Sequence, residues 1–494
     1  MGPDSMNVLS GNNSNGIYIY RADSNVVTGN IIGLTAAGDM MLGNGRYGIE
    51  IANQATYNRI GGSTVKERNF ISGNHFCGIN IEGEGTDYNT MVGNFIGLGR
   101  DGLTDLGNGN QGILIQAGPC NNTIGGISFY ERNCISGNER EGIRIYSPNT
   151  THNHILGNYV GVDSSGTVAV GNGNQGVELS YQTSHNLISN NIISGNNSRG
   201  IQISGAYTDS NTVQGNWIGL DYTGQDTIPN KSSGMEISDF ASYNLIGGPD
   251  YTDRNIVSGN EYIGIRIFND SAAYNIIQNN FVGTDTSGTL ALGNSGAGIY
   301  ISGMKNVIKD NTVSANSQGI YVYNSCGGNS MHNNSVGVGA DGITPLPNKS
   351  YGFLVAGKAV SDTIGPGNKI WYNQSWGIYM NGSDSQKVTI TQNSISGNAF
   401  GGIMLNDSAN AGIAAPVITG ENPLTGTALP DCRIEVFSDT SEQGGIYEGY
   451  ATADGSGNWT FTGDLSGPRV TATATDTEGN TSPFSSSMET SVKP

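Results

Sequence analysis

Residues 176–199 read GVELSYQTSHNLISNNIISGNNSR and are followed at once by GIQI, so they make one uninterrupted turn of a repeat. The turn opens on a short strand, Val177–Leu179. Two aliphatic side chains flank Glu178 there, so at period 2 the aliphatics share one face and the glutamate takes the other. Two further strands are built on residues 186–188 and 191–193, with Asn-Asn and Gly-Asn pairs at the corners. Three short strands in about two dozen residues, with no helix-period segment, are the signature of a β-solenoid.

Laid along the chain, this turn finds fourteen starts: Gly16, Gly48, Gly78, Gly112, Gly142, Gly176, Gly200, Gly234, Gly264, Gly298, Gly319, Gly352, Gly377 and Gly402. Their spacing runs from 21 to 34 residues because insertions fall at two fixed places. One kind follows the third strand, as in VGVDSSGTVAVGNGNQ, and precedes every second coil; the other separates strands two and three, as in IGGISFYERN. Insertions confined to corners leave coil stacking undisturbed. The first kind is expected to wall one side of the first-strand face. Corner asparagines such as Asn58, Asn89, Asn153 and Asn186 suit left-handed backbone and can bond the equivalent residue of the next coil.

The recurring GI-x-I, N-x-I-x-GN and N-x-I-S-GN segments resemble the right-handed parallel β-helix repeat family, which includes periplasmic and polysaccharide-active proteins. The resemblance implies an all-β fold, a right-handed parallel β-helix of about 13–14 coils over residues 7–410. From residue 411 prolines enter and strands alternate, at Arg433–Phe437, Asn458–Phe461 and Arg469–Ala474. A small β-sandwich over 411–494 is expected. GTALPDCRIEVF, ADGSGNWTF and TATATDTEGNTSPFS are similar to bacterial immunoglobulin-like modules, which implies a cap or a tether. Residues 1–6, MGPDSM, read as an artificial extension, so a natural leader could have preceded residue 7.

Gly accounts for 76 of 494 residues and charged residues for only 13%. These are roughly twice and half the usual shares, as in a turn-rich β protein. A net charge of −19 with no basic stripe excludes a general nucleic-acid or anionic-membrane binder. No apolar run is long enough to span a bilayer. Five cysteines without Cys-x-x-Cys spacing make neither a disulfide framework nor a zinc site. Cys134 stands where parallel segments have Phe70 and Ile256, as a repeat-position residue. A secreted or cell-surface bacterial protein is expected.

The x of GI-x-I must face outward, and the column runs Tyr18, Glu50, Asn80, Leu114, Arg144, Glu178, Gln202, Glu236, Arg266, Tyr300, Tyr321, Leu354, Tyr379, Met404. The next outward position adds Glu82, Tyr146, Ser180, Ser204 and Ser238. A stripe of carboxylates, guanidinium groups, amides and rings suits a polysaccharide partner. Glu178 and Glu236 lie two coils apart, about 10 Å between backbones. That approaches the roughly 6.5–9.5 Å of an inverting glycosidase, so these two are the candidate catalytic residues. Arg144, Gln202, Arg266, Tyr146, Tyr300, Tyr321, Glu50 and Glu82 are the candidate substrate-binding residues. A lyase acting on a uronate polymer is the rival chemistry, and a non-catalytic surface or adhesive glycan binder is the alternative from another class. The plain alternative is a solvated ladder of surface charges. The chain has neither the Asp-Pro-His of mannuronan epimerases nor the motif set of polygalacturonases.

No metal or other cofactor is called for. Calcium is a secondary possibility at the recurrent loop carboxylates Asp163, Asp221 and Asp285, whose first expected role is turn capping. The five histidines make no metal set by spacing. Glu67–Arg68 and Glu131–Arg132 are expected to form local salt bridges within their loops.

Overall fold

The computed structural model describes residues 6–325 and 327–490; residues 1–5, Cys326 and residues 491–494 lie outside the described residues. The chain is all-β, a right-handed parallel β-helix followed by a small sandwich. Three parallel sheets carry 14, 14 and 13 strands, one for each strand position of the repeat, and two small antiparallel sheets follow. The chain divides into two compact units, residues 1–265 and 266–494.

In the first unit the repeat folds as its spacing demands. The strands of the turn quoted above are Val177–Ser180, Leu187–Ser189 and Ile192–Ile193. Val177 pairs with Ile201 and Leu179 with Ile203 in the next coil, all fully buried. Each such side chain contributes about 1.5–3 kcal/mol by leaving water, and each coil depends on its neighbours for that cover.

Asparagines close all three corners, not one. In each ladder a backbone N–H and a side-chain Nδ2 donate to the Oδ1 of the next coil's asparagine. Asn58 to Asn89 (3.0 and 2.9 Å), Asn158 to Asn191 (2.8 and 3.0 Å) and Asn138 to Asn172 (3.2 and 2.9 Å) are rungs of the three. Buried corner backbone is satisfied in this way where no strand continues.

The insertions after the third strand are hairpins, closed in the first unit by the bridges Leu34–Met41, Leu98–Asp105, Val162–Ala169 and Leu220–Thr227. They stack on one another, since the N–H groups of Arg100, Ser164 and Tyr222 donate to the carbonyls of Gly38, Gly102 and Gly166. Their position corrects the sequence expectation. They fold over the third-strand sheet instead of walling the first: Leu98, Leu106, Val162, Val170 and Ile228 pack with Phe70, Phe95, Cys134, Tyr159 and Ile192. The outward column of the third sheet is apolar and needs cover, which the hairpins provide.

The second unit continues with first strands Ala297–Ile301, Gln318–Tyr323, Phe353–Ala356, Trp376–Asn381 and Gly401–Asn406. The sandwich then packs Leu424, Cys432, Ile434, Val436, Trp459, Phe461 and Val470 between a three-stranded and a four-stranded sheet. It also makes hydrogen bonds to the last coil. Gln443 Oε1 accepts from the Asn398 backbone N–H at 2.9 Å, standing in for the next asparagine of its ladder. The Gly444 carbonyl accepts from the Ile395 N–H, and Glu435 accepts from the Gln392 N–H. Edge groups that would invite strand addition are thereby paired.

Candidate functional site: paired rows on the first-strand face

The register places the outward column of the first unit as the repeat implied. Leu114, Arg144, Glu178, Gln202 and Glu236 are successive rungs, with Gln116, Tyr146, Ser180, Ser204 and Ser238 beside them. The carboxylates are not a solvated ladder: Glu178 is 8% exposed and Glu236 3%.

What covers them is a second row that period 2 does not reveal. The residue before each opening glycine also faces this side, giving Gln111, Glu141, Gln175, Arg199 and Ser233, whose carbonyls accept from the glycine N–H of the preceding coil. Alternation breaks at the glycine. A Cβ on Gly142 would meet Val160 Cγ1 and the Gly176 carbonyl, both at 2.7 Å, so this position points inward and residues 141 and 144 emerge on the same side. The sequence does carry the signal, as the residue preceding each GI-x-I.

The two rows are cross-linked. Arg144 Nη2 lies 3.2 Å from Glu178 Oε1, and Ser180 donates its hydroxyl to the same oxygen at 2.6 Å. Arg199 Nε lies 3.1 Å from Glu236 Oε2. Gln175 donates to Gln202 Oε1. Glu141 accepts from Gln111 Nε2 at 2.8 Å and from Asn174 Nδ2 at 2.9 Å. Burial pushes the Glu178 carboxyl above the ordinary range; Arg144 and Ser180 pull it down, while the charge of Glu141 and a hydrogen bond shared with it push it up again. The charge of Glu141 thus adds to the burial that raises Glu178. Among the described residues, Arg144 Nε, Gln175 Oε1 and Ser233 Oγ are buried polar atoms without a hydrogen-bond partner. Unmet groups of this kind call for water or a ligand.

The remaining expected residues are distributed more widely. Tyr146 lies under the Arg144 guanidinium at 4.5 Å and stacks on Tyr181 at 5.2 Å. In earlier coils Glu50, held by Asn15 Nδ2, stands in the column of Glu178, and Glu82, held by Asn80 Nδ2, in the neighbouring column of Tyr146. Arg266, Tyr300 and Tyr321 belong to the second unit. There Arg266 lies over the rings of Phe268 and Tyr300, and Tyr300 meets Tyr321 edge to face.

The loop residues have structural duties. Asp163 accepts from the Thr167 and Val168 N–H groups at 2.9 Å, which caps its hairpin. The salt bridges expected inside the other loops are replaced by different contacts. Glu67 pairs with Arg59 at 3.0 Å, while Arg68 covers Phe95 at 4.0 Å and Arg132 covers Tyr159 at 3.9 Å. A guanidinium over a ring shields an apolar column while keeping contact with water.

A family model described as the periplasmic copper-binding protein NosD matches residues 241–337. That segment contains a single histidine, His332, and no group of three or more His, Cys, Asp or Glu among the described residues is placed to hold a metal ion. No curated protein sequence matches the chain. Among solved structures, the chain is similar to a mutant of the periplasmic alginate epimerase AlgG, at 15% identity and a TM-score of 0.46, covering 70% of this chain and 76% of that one. It is similar to the A-module of the Azotobacter vinelandii mannuronan C-5 epimerase AlgE4 at 14% identity and a TM-score of 0.45, covering 80% and 90%. It is also similar to the Dettilon tailspike protein at 16% identity and a TM-score of 0.38, covering 82% and 71%.

Proposed function

We propose that the first-strand face of the first unit binds a polysaccharide outside the cell and hydrolyses it with inversion. The observation that carries this reading is Glu178, a buried carboxyl raised above its usual range beside a second carboxyl, on a face that also presents unmet polar atoms. In this mechanism Glu178, protonated, gives its proton to the leaving glycosidic oxygen. Glu236, two rungs on, takes a proton from the water that attacks the anomeric carbon from the opposite side. Gln202 lies between them and orients the sugar, and the stacked pair Tyr146 and Tyr181 offers a platform for a neighbouring ring.

A second reading, glycan binding without turnover, is favoured by the ion pairs that already engage Glu178 with Arg144 and Glu236 with Arg199. A screen of soluble plant, algal and microbial polysaccharides separates the two. New reducing ends, lost in both Glu178→Gln and Glu236→Gln with binding kept, are the expected result. Ultraviolet-absorbing unsaturated ends would instead make the chain a lyase. Binding with no new ends in the wild type would leave it a glycan-binding protein.

A further inference from the structure

A pocket of about 410 Å³ opens on the third-strand face of the first unit, lined by Phe129, Arg132, Tyr159, Asn190, Trp217 and Tyr222 among others. Its origin is a missing insertion. Residues 62–69 bring Arg68 over Phe95, and residues 126–133 bring Arg132 over Tyr159, and both rings are buried. In the coil of residues 176–199 only Asn190 and Asn191 separate the second strand from the third, so no equivalent arginine reaches Trp217, which stays half-buried. The second unit holds a control. Its coil of residues 298–318 also lacks the insertion, and the corresponding residue of the following coil there is Ser335, not an aromatic. Missing cover is thus tolerated with a small polar side chain, yet at residue 217 the chain places its largest ring.

We infer that this pocket binds a pyranose unit of a glycan, as a site separate from the carboxyl rows. The indole of Trp217 offers a flat apolar face for the C–H face of a sugar, with Phe129 (68% exposed) and Tyr222 (50% exposed) at its sides. Arg132 and the Asn190 amide supply donors for ring hydroxyls. The volume is within the range of small-molecule sites, about 300–1,000 Å³. The choice of a sugar rests on the reading of the first-strand face as glycan-directed.

Affinity electrophoresis of the full chain in gels containing hydroxyethylcellulose, xylan, polygalacturonate or alginate tests the inference. At least one gel retards the wild type and Glu178→Gln alike. In that gel Trp217→Ala binds roughly tenfold more weakly, the scale of losing a ring that anchors an interface. Tyr222→Ala, on an exposed hairpin, weakens binding with an unchanged unfolding midpoint, which separates a lost contact from a damaged fold. Retardation unchanged in both pocket variants, or absent from all four gels, overturns the inference. Binding of a proline-rich peptide that Trp217→Ala abolishes, with none of the glycans bound, would overturn it in favour of a protein partner. Failure of the hydrolase reading shows separately, as Glu178→Gln that turns over substrate normally.

Discussion

Glu178 in the first unit and Asp362 in the second are both buried carboxyls that loss of water pushes upward, Asp362 to about 6. Asp362 stands in an asparagine ladder. Its Oδ1 accepts from the Asn329 N–H and Nδ2, both at 2.9 Å, as a ladder asparagine would, and its Oδ2 has no partner among the described residues. Glu178 has a guanidinium, a hydroxyl and a second carboxyl around it, on a face shared with other unmet polar groups. A raised pKa therefore reports burial, and convergence of further charged groups is what distinguishes a site from a substitution in the scaffold.

The contrast can be broken most strongly at Glu178. Glu178→Gln should lower turnover by about 10²–10⁴-fold, the usual worth of a positioned acid, while the unfolding midpoint stays within a few degrees; steady-state kinetics and calorimetry read the two. A carboxylate forced onto the inward side of the same strand has neither kind of partner. Val177→Asp should cost about 3–5 kcal/mol in denaturant unfolding, and an unchanged midpoint would refute the inward assignment of Val177.

Asp362→Asn should act in the opposite direction. The folded state binds the Asp362 proton more tightly than the unfolded chain, so this group's stabilising contribution is complete below about pH 4 and is lost as pH rises through about 6. By neutral pH the loss is about 3 kcal/mol, and the asparagine variant should recover up to that amount and flatten the stability profile between those pH values. Unfolding curves at pH 4 and pH 7 check it. The smallest effect belongs to Glu141→Gln. Removing the carboxyl that raises Glu178 should move the alkaline limb of the rate profile to lower pH, since the acid is then lost sooner.

Much of this was legible before any coordinates. Inward Ile, Val and Leu at period 2, glycine starts and corner asparagines are local and repeated, so one coil explains the next. The outward column through Glu178 followed from the same alternation and is reproduced by the register. Glu141, Gln175 and Arg199 escaped because alternation fails at the opening glycine, whose missing Cβ lets the chain turn its hydrogen inward against the side chains of the next corner.

The sequence by itself determined the coil, its count and the places where loops enter, because these depend on side-chain period and turn chemistry within a few residues. Only the tertiary structure decided which sheet the hairpins cover, that Arg68 and Arg132 lie over rings instead of pairing within their loops, and that Glu178 is buried beside the charge of Glu141. Those outcomes depend on residues about 25 to 40 positions apart meeting across stacked coils, where burial and direction set the chemistry and no local pattern records them.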